Sequence, residues 1–315
     1  MRLAVAVAAL ALSLAAQAQP FPSRTVRFIS GVTPGAASDT MARILAEKLS
    51  PLLGQPVIVE NRLGAGGLVG AKYVAEQAEP DGHTIMMYAS ALTVSTLLSP
   101  GVLDPKELQA VATVAIIPTV MITPPGKYKT VQDFVAAAKA EPGKIVCSDA
   151  GVGSATHMAF ERFRFSAGFE ALNVHTKGPS EALTEVISGR ADCYFALVFQ
   201  AQKMREAGKI GALVLSGPKR SSLMPDLPTT EEAGYPNSSY NFWVGALVSA
   251  KTPRPIVERL HKEITTLVES PEVSAHIRKL GADPLPMSIA EFEAMIATEL
   301  KENAELIKKA GIKAN

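Results

Sequence analysis

Two glycine-containing segments combine residue types that suit the binding of an anion. They are Gly31 to Thr40 (GVTPGAASDT) and Ala150 to His157 (AGVGSATH), and each follows a predicted strand and opens a predicted helix. A helix start leaves backbone N–H groups unpaired with partial positive charge, and glycine lets a ligand approach the backbone closely. We therefore predict that these segments, the first and second elbow, bind a carboxylate. Ordinary strand–helix turns with Ser or Thr caps are the alternative.

A third glycine-rich loop, residues 61–67 (NRLGAGG), also lies between a predicted strand and a predicted helix. It has neither the Gly-x-Gly-x-x-Gly spacing after a first strand nor the Gly-Lys-Ser/Thr ending of a phosphate-binding loop. We therefore predict a tight turn here and no nucleotide cofactor.

The side chains that could support catalysis do not form a recognisable pattern. The chain has five histidines, His83, His157, His175, His261 and His276. They show no metal-binding spacing and adjoin no nucleophile motif, and GVGSA does not match Gly-x-Ser-x-Gly. We predict no catalytic residue, metal or cofactor. A hydrolase based on Ser154 and His157 is an alternative that lacks an orienting third group.

The N-terminus has the layout of a secretory signal peptide. Arg2 precedes an apolar run from Leu3 to Ala16, and Ala16-Gln17-Ala18 is a small-residue cleavage site. The run is too short for a stable membrane span, so we expect export to the periplasm and cleavage near Ala18. Without residues 1–18 the chain keeps 30 basic and 30 acidic residues, which gives no electrostatic argument for nucleic acid.

The elements that must position the elbows follow an alternating pattern of strands and helices. About 300 residues, 47% of them apolar in the full chain, supply material for two lobes. Short β-branched runs alternate with amphipathic stretches, which predicts an α/β fold with largely parallel sheets flanked by helices. Predicted strands begin at Thr25, Pro56, His83, Val111, Thr119, Lys144, Leu172, Ala191, Ile210 and Phe242.

Two extended, proline-flanked stretches, 117–123 and 241–248, are the predicted crossings between the lobes. After the signal peptide at 1–18, we predict the first part of lobe 1 at 19–118, lobe 2 at 119–243, and the return to lobe 1 at 244–315. Two lobes joined by a two-strand hinge can close on a ligand.

The two cysteines, Cys147 and Cys193, each lie inside an apolar strand-like run. Export would permit a disulfide between them. We favour two buried, unbonded side chains, with a bridge as the alternative.

A set of motifs spread over nearly the whole chain after residue 18 resembles a known family. The motifs occur in this order: Pro34-Gly35 with Ser38-Asp39, then LGQPVIVENRLGAGGLVGA at 53–71, PDGHT at 80–84, CSDAGVGSATH at 147–157, Lys177-Gly178, GRAD at 189–192, MPDLPT at 224–229 and AGIKAN at 310–315. In this order and spacing the chain resembles the Bug-type solute receptors of tripartite tricarboxylate transporters.

The resemblance implies a type II periplasmic binding-protein fold, here expected as a monomer, that encloses a small organic carboxylate and serves membrane subunits of a transporter. Presentation of the ligand to a sensor kinase is the alternative. The candidate ligand-binding residues are Thr33, Pro34, Gly35, Ala36, Ser38 and Asp39 in the first elbow, Ala150, Gly151, Gly153, Ser154, Thr156 and His157 in the second, and Ser90, Lys177 and Phe195 elsewhere. His157 could equally cap or pack, and Asp39 could cap its helix.

The chain departs from the family pattern at three places that affect specificity. Ala36 replaces a usual second glycine, and Thr176 replaces a usual tyrosine before Lys177-Gly178. After GRAD, an apolar run through Phe195 and Phe199 replaces a usual polar residue. These changes favour an apolar, even aromatic, acid over an amino acid, unless the two phenylalanines belong to the core.

Overall fold

The computed structural model describes residues 21–313, so the predicted signal peptide at 1–18 lies outside the described residues. The strands are β1 Val26–Ser30, β2 Val57–Asn61, β3 Thr84–Ala89, β4 Leu108–Ile116, β5 Thr119–Thr123, β6 Val146–Asp149, β7 Leu172–His175, β8 Cys193–Leu197, β9 Gly211–Ser216, β10 Trp243–Ser249 and β11 Asp283–Pro284. The helices are α1 Ala37–Leu53, α2 Leu68–Lys72, α3 Ala91–Leu98, α4 Val131–Ala140, α5 Ala155–Ala167, α6 Pro179–Ile187, α7 Val198–Glu206, α8 Arg254–Glu269, α9 Pro271–Lys279 and α10 Ile289–Ala310.

The strands form two sheets, which confirms the prediction of two α/β units flanked by helices. The first sheet has the order β11-β4-β10-β3-β1-β2 and the second has the order β7-β6-β8-β5-β9. The first sheet therefore takes strands from both ends of the described chain, whereas the second uses only strands between them. No helix within residues 21–313 combines the length and the apolar character that a membrane crossing requires.

All ten predicted strands are present, but both sheets are mixed and not mostly parallel. In the first sheet β1 is parallel to β2 and β3, while β10 is antiparallel to β3 and β4. In the second sheet β6 is parallel to β7 and β8, while β5 is antiparallel to β8 and β9. The parallel pairs belong to strand–helix–strand units, and β5 and β10 enter their sheets from the opposite direction.

The chain passes from the first sheet to the second between β4 and β5, where Ile117 and Pro118 separate the two strands. It comes back into the first sheet at β10. The two passages touch, because the Ile117 amide donates a hydrogen bond to the Phe242 carbonyl at 2.8 Å. The lobe boundaries at 118/119 and 243/244 stay predictions.

The helices that carry the candidate site are held by packing and by their caps. Apolar side chains along one face of α1, including Met41, Leu45 and Leu49, are buried in the core of the first sheet. Capping boxes begin two other helices: Thr130 with Asp133 begins α4, and Ser288 with Glu291 begins α10.

Cys147 and Cys193 form a disulfide, so the favoured prediction of two unbonded cysteines is wrong. The two residues are register partners on the adjacent parallel strands β6 and β8, and their Cα atoms are 4.6 Å apart. That separation lies in the range a disulfide bridges. Both side chains are fully buried.

Candidate functional site

A cavity of about 810 Å³ lies between the two sheets. Its walls come from both, and both elbows contribute to it. The lining residues from the first-sheet side are Thr33, Pro34, Gly35, Ala36, Ala37, Thr40, Met41, Ala91, Ile117, Phe242, Lys279 and Leu280. Those from the second-sheet side are Ala150, Ser154, Ala155, Thr156, Pro179, Ser180, Leu197, Phe199, Gln200 and Lys203.

The first elbow presents the start of α1 without a side-chain cap. Ala36 is the N-cap, and its side chain has no hydrogen-bonding group. The amides of Ala37, Ser38 and Asp39 have no hydrogen-bond acceptor within residues 21–313. Gly35 adopts a φ of 85°, and a Cβ placed there would meet nothing within 4 Å. The elbow therefore offers free N–H groups beside an open stretch of backbone.

Asp39 is part of the first elbow but does not line the cavity. Its fully buried carboxylate accepts hydrogen bonds from the Gly35 amide at 2.9 Å, Arg43 Nε at 3.0 Å and Asn61 Nδ2 at 2.7 Å. Burial opposes ionisation, but the hydrogen bonds from Arg43, Gly35 and Asn61 outweigh it and lower the pKa of Asp39 below its usual value. The carboxylate thus stays charged and fixes the turn.

The second elbow is also a helix start, but its cap is occupied. Ser154 Oγ accepts from the His157 amide at 3.2 Å, and Thr156 Oγ1 accepts from the Ala150 amide at 3.0 Å. The amides of Ala155 and Thr156 have no acceptor in the described part of the chain. Ser154 and Thr156 hydroxyls lie 3.1 Å apart and line the cavity. This wall offers both amide and hydroxyl donors to an anion.

Gly153 and His157 belong to the second elbow but do not line the cavity. A Cβ on Gly153 would come within 2.9 Å of Leu98 and 3.1 Å of Val94, so glycine here permits close packing on α3. The Gly153 amide donates to Nδ1 of His157 at 3.0 Å. Burial lowers the pKa of His157, which keeps the ring neutral.

Asp149, His157 and His175 place potential metal-ligand atoms within 4.8 Å of one another. Their hydrogen bonds indicate a different role. His175 Nδ1 is 2.8 Å from Asp149 Oδ2, and Asp149 Oδ1 accepts from the Gly151 amide at 2.7 Å. Since His157 Nδ1 accepts from Gly153, its proton is on Nε2, which leaves that nitrogen no lone pair for a metal. The hydrogen bonds of Asp149, His157 and His175 therefore stabilise the second elbow. The absence of a metal site stays a prediction.

The structure brings together about half of the candidate residues. Seven line the cavity: Thr33, Pro34, Gly35, Ala36, Ala150, Ser154 and Thr156. Eight do not: Ser38, Asp39, Ser90, Gly151, Gly153, His157, Lys177 and Phe195.

The three candidates outside the elbows do not line the cavity. Phe195 is fully buried and packs against Phe163, because β8 is covered on both faces. Ser90 is also fully buried, and its Oγ accepts from the Tyr240 hydroxyl at 3.3 Å. Lys177 is exposed, away from the cavity lining. The aromatic side chains that line the cavity are those of Phe199 and Phe242, and not that of Phe195.

Sequence reasoning missed Gln200, Lys203 and Lys279 as lining residues. Gln200 and Lys203 are three residues apart on α7, so they share one helical face. Lys279 is the last residue of α9. The i,i+3 spacing was visible in the sequence, but nothing in the sequence indicated that this face meets the end of α9.

The structure has two α/β lobes with a cavity between them, and a helix start from each lobe lines this cavity. This arrangement defines the class of two-lobed binding proteins. The family model described as tripartite tricarboxylate transporter family receptor, TctC, matches residues 41–312. The chain belongs to this family.

Relatives and solved structures agree with this membership. A UPF0065 protein from the tcbD–tcbE intergenic region of Pseudomonas sp. strain P51 is 33% identical over 83% of this chain and 79% of its own length. Protein BugT of Bordetella pertussis is 29% identical over 94% of this chain and 92% of its own. A structure from R. palustris with adipate superposes with a TM-score of 0.79 at 26% identity, covering 93% of this chain and 99% of that one.

Proposed function

We propose that this protein is a periplasmic receptor that captures a small organic carboxylate between its two lobes. The observation that carries the proposal is the arrangement of the elbows. Two helix starts contribute residues with free amides to opposite walls of one cavity: Ala37 begins α1, and Ala155 and Thr156 begin α5. Two positive helix ends on one cavity favour an anion held by backbone N–H groups.

The remaining walls support an organic acid over an inorganic anion. Phe199, Phe242 and Leu280 are only partly buried and give the cavity an apolar surface. Such surface stabilises a ligand that buries carbon atoms there, by roughly 25 cal/mol for each Å² removed from water. Adipate, the ligand in the R. palustris structure, is an acid of this kind, and we extend the same chemistry to this chain.

The two passages of the chain between the sheets would allow the lobes to close over the ligand. We propose residues 117–123 and 241–248 as the hinge, with the lobe boundaries at 118/119 and 243/244. The passages are short and touch at Ile117 and Phe242, so a small rotation there would move one elbow relative to the other. The closed form would be the one that a membrane partner recognises.

We assign delivery to the membrane subunits of a tripartite tricarboxylate transporter on the strength of family membership. A sensor kinase is the competing partner for the same closed form. Genes for one small and one large membrane subunit beside this gene would favour transport, whereas an adjacent kinase gene would favour sensing.

The test of carboxylate capture is a thermal-shift screen of the protein without residues 1–18, against mono-, di- and tricarboxylates, followed by calorimetry on the acids that stabilise it. Gly35→Phe places a ring in the open space beside the first elbow and should weaken binding at least about tenfold. Gly126→Phe is the matched control, since Gly126 has a similar φ of 72° and open space but lies outside the cavity. Equal affinity in the two variants would contradict the elbow model.

A further inference from the structure

The third glycine-rich loop, residues 61–67, does not line the cavity, and the proposed function assigns it no role. Its backbone has an uncommon conformation. Gly64, Ala65, Gly66 and Gly67 adopt positive φ values of 128°, 48°, 62° and 90° in succession. Positive φ is unfavourable for residues with a Cβ, which explains why three of the four residues are glycines.

This turn packs directly against Gly31, the first residue of the first elbow. A Cβ on Gly31 would lie 2.8 Å from Cα of Gly67 and 2.9 Å from Cε2 of Tyr88. The buried Tyr88 donates a hydrogen bond from its hydroxyl to the Gly66 carbonyl, and a Cβ on Gly67 would collide with its ring. Glycine at positions 31 and 67 therefore lets the loop and the elbow approach each other closely.

Asn61, which ends β2 and begins the loop, contacts the first elbow with its side chain. Asn61 Nδ2 donates to the Val32 carbonyl at 3.0 Å and to Oδ1 of Asp39 at 2.7 Å. Asn61 Oδ1 accepts from Arg43 Nη2 at 3.0 Å. The opposite orientation of the amide would place its oxygen against two acceptors, so these partners determine the orientation. Both donor hydrogens of one side chain are thus used on the first elbow.

The two acceptors lie on either side of the turn 33–36, which lines the cavity. Val32 precedes this turn, and Asp39 follows it and accepts from the Gly35 amide at 2.9 Å. We infer that Asn61 is a positioning residue for the ligand: its amide holds the first elbow in the shape that offers free N–H groups to a carboxylate. The inference rests on the proposed function and assigns a role to the third loop.

Asn61→Asp tests this role, because it replaces the donor with a charged acceptor of nearly the same shape. At about pH 8 the new carboxylate would face the Val32 carbonyl and the Asp39 carboxylate, so the elbow should open. The carboxylate that stabilises the wild type most in the thermal-shift screen should then bind about tenfold more weakly than to the wild type.

Lowering the pH should partly restore binding in this variant. Two adjacent carboxylates share a proton as the pH falls towards about 5, and the shared proton again supplies a donor between positions 61 and 39. Asp39 and Arg43 approach position 61 from α1, while the neighbouring Glu60 and Arg62 pair with each other at 2.7 Å. Calorimetry at both pH values should show that affinity relative to the wild type recovers several-fold at the lower pH.

Hydrogen exchange provides a readout that needs no ligand. At about pH 8 the amides of residues 31–40 should exchange several-fold faster in Asn61→Asp than in the wild type. Asn237→Asp, the same change at an exposed position outside the cavity, is the matched control and should leave affinity and exchange unaltered. Thr130→Ala removes the capping box of α4, so it should lower the thermal midpoint without changing affinity.

The outcomes separate failure of this inference from failure of the proposed function. Wild-type affinity in Asn61→Asp at the higher pH, or a loss of affinity that is equal at both pH values, would show that Asn61 does not position the elbow. Unchanged exchange in residues 31–40 would overturn the inference whichever acids bind. If the wild type binds no carboxylate but exchange still accelerates in Asn61→Asp, the proposed function is wrong, while Asn61 still fixes the shape of the elbow.

Discussion

The indole Nε1 of Trp243 donates a hydrogen bond to Oε2 of Glu299 at 2.9 Å. Trp243 begins β10, where the chain comes back into the first sheet, and Glu299 is on α10, so the bond joins the candidate hinge to the last helix. Both side chains are buried, and Glu299 Oε1 has no partner among the described residues. Burial raises the pKa of Glu299 to about 8, so the carboxyl is largely protonated at neutral pH.

This raised pKa predicts a stability that falls as the pH rises. The folded state holds a proton that the unfolded state releases near pH 4.5, so the stabilisation is complete below that pH and is lost as the pH rises through about 8. Glu299→Gln keeps the shape and the acceptor for Trp243 but does not titrate. Urea unfolding of both proteins should show that the wild type loses about 3 kcal/mol relative to the variant between pH 5 and pH 8. Parallel pH profiles would show that Glu299 ionises normally.

The disulfide predicts a large dependence of stability on the redox state. The two cysteines are separated by 46 positions, and closing a loop of that length removes conformational entropy from the unfolded chain. We expect reduction to lower the free energy of unfolding by about 3 kcal/mol, measured by urea unfolding with and without reductant. A Cys147→Ala/Cys193→Ala variant should be less stable but insensitive to reductant. A wild type that is equally insensitive would contradict a bond in the native protein.

The hydrogen bonds of Asp39 predict that its replacement weakens carboxylate binding, although Asp39 does not line the cavity. Asp39→Asn removes the charge that holds the Gly35 amide and Arg43, so the first elbow should loosen. The carboxylate that stabilises the wild type most in the thermal-shift screen should then bind about tenfold more weakly. Stability should fall by about 2 kcal/mol, because the buried partners lose a charge-assisted hydrogen bond. Since the pKa of Asp39 is lowered, its contribution is present above the unfolded pKa of 3.8 and is lost as the pH falls below it.

The corresponding measurements are calorimetry with that carboxylate and urea unfolding at neutral pH. Asp81→Asn is a control on the surface, since Asp81 pairs with the exposed Arg24 away from the cavity. Unchanged affinity in Asp39→Asn, together with the expected loss of stability, would mean that the shape of the elbow does not depend on this carboxylate.

The elbows could be predicted because their signal is local. Glycine and Ser or Thr at a strand–helix junction determine the backbone of a short segment, and the structure places Gly35 and Ser154 on one cavity. The role of Phe195 could not be predicted in the same way. All five residues of β8 are buried, so alternation along the strand does not separate the core from the cavity.

The features that sequence reasoning missed depend on contacts between distant segments. Cys147 and Cys193 meet because β8 pairs with one side of β6 and β7 pairs with the other side. This strand order cannot be read from the sequence of either strand. Lys203 and Lys279 look like ordinary surface lysines on amphipathic helices. The approach of Gly281 to Phe199, far apart in the sequence, brings their helices together.

The disulfide has a consequence for binding as well as for folding. β6 runs directly into the second elbow, and β8 runs directly into α7 with Gln200 and Lys203. The covalent link between Cys147 and Cys193 therefore joins the bases of two of the segments that line the cavity from this side. Their spacing is pre-organised before any ligand arrives, so less conformational entropy is lost when a molecule spans from one segment to the other.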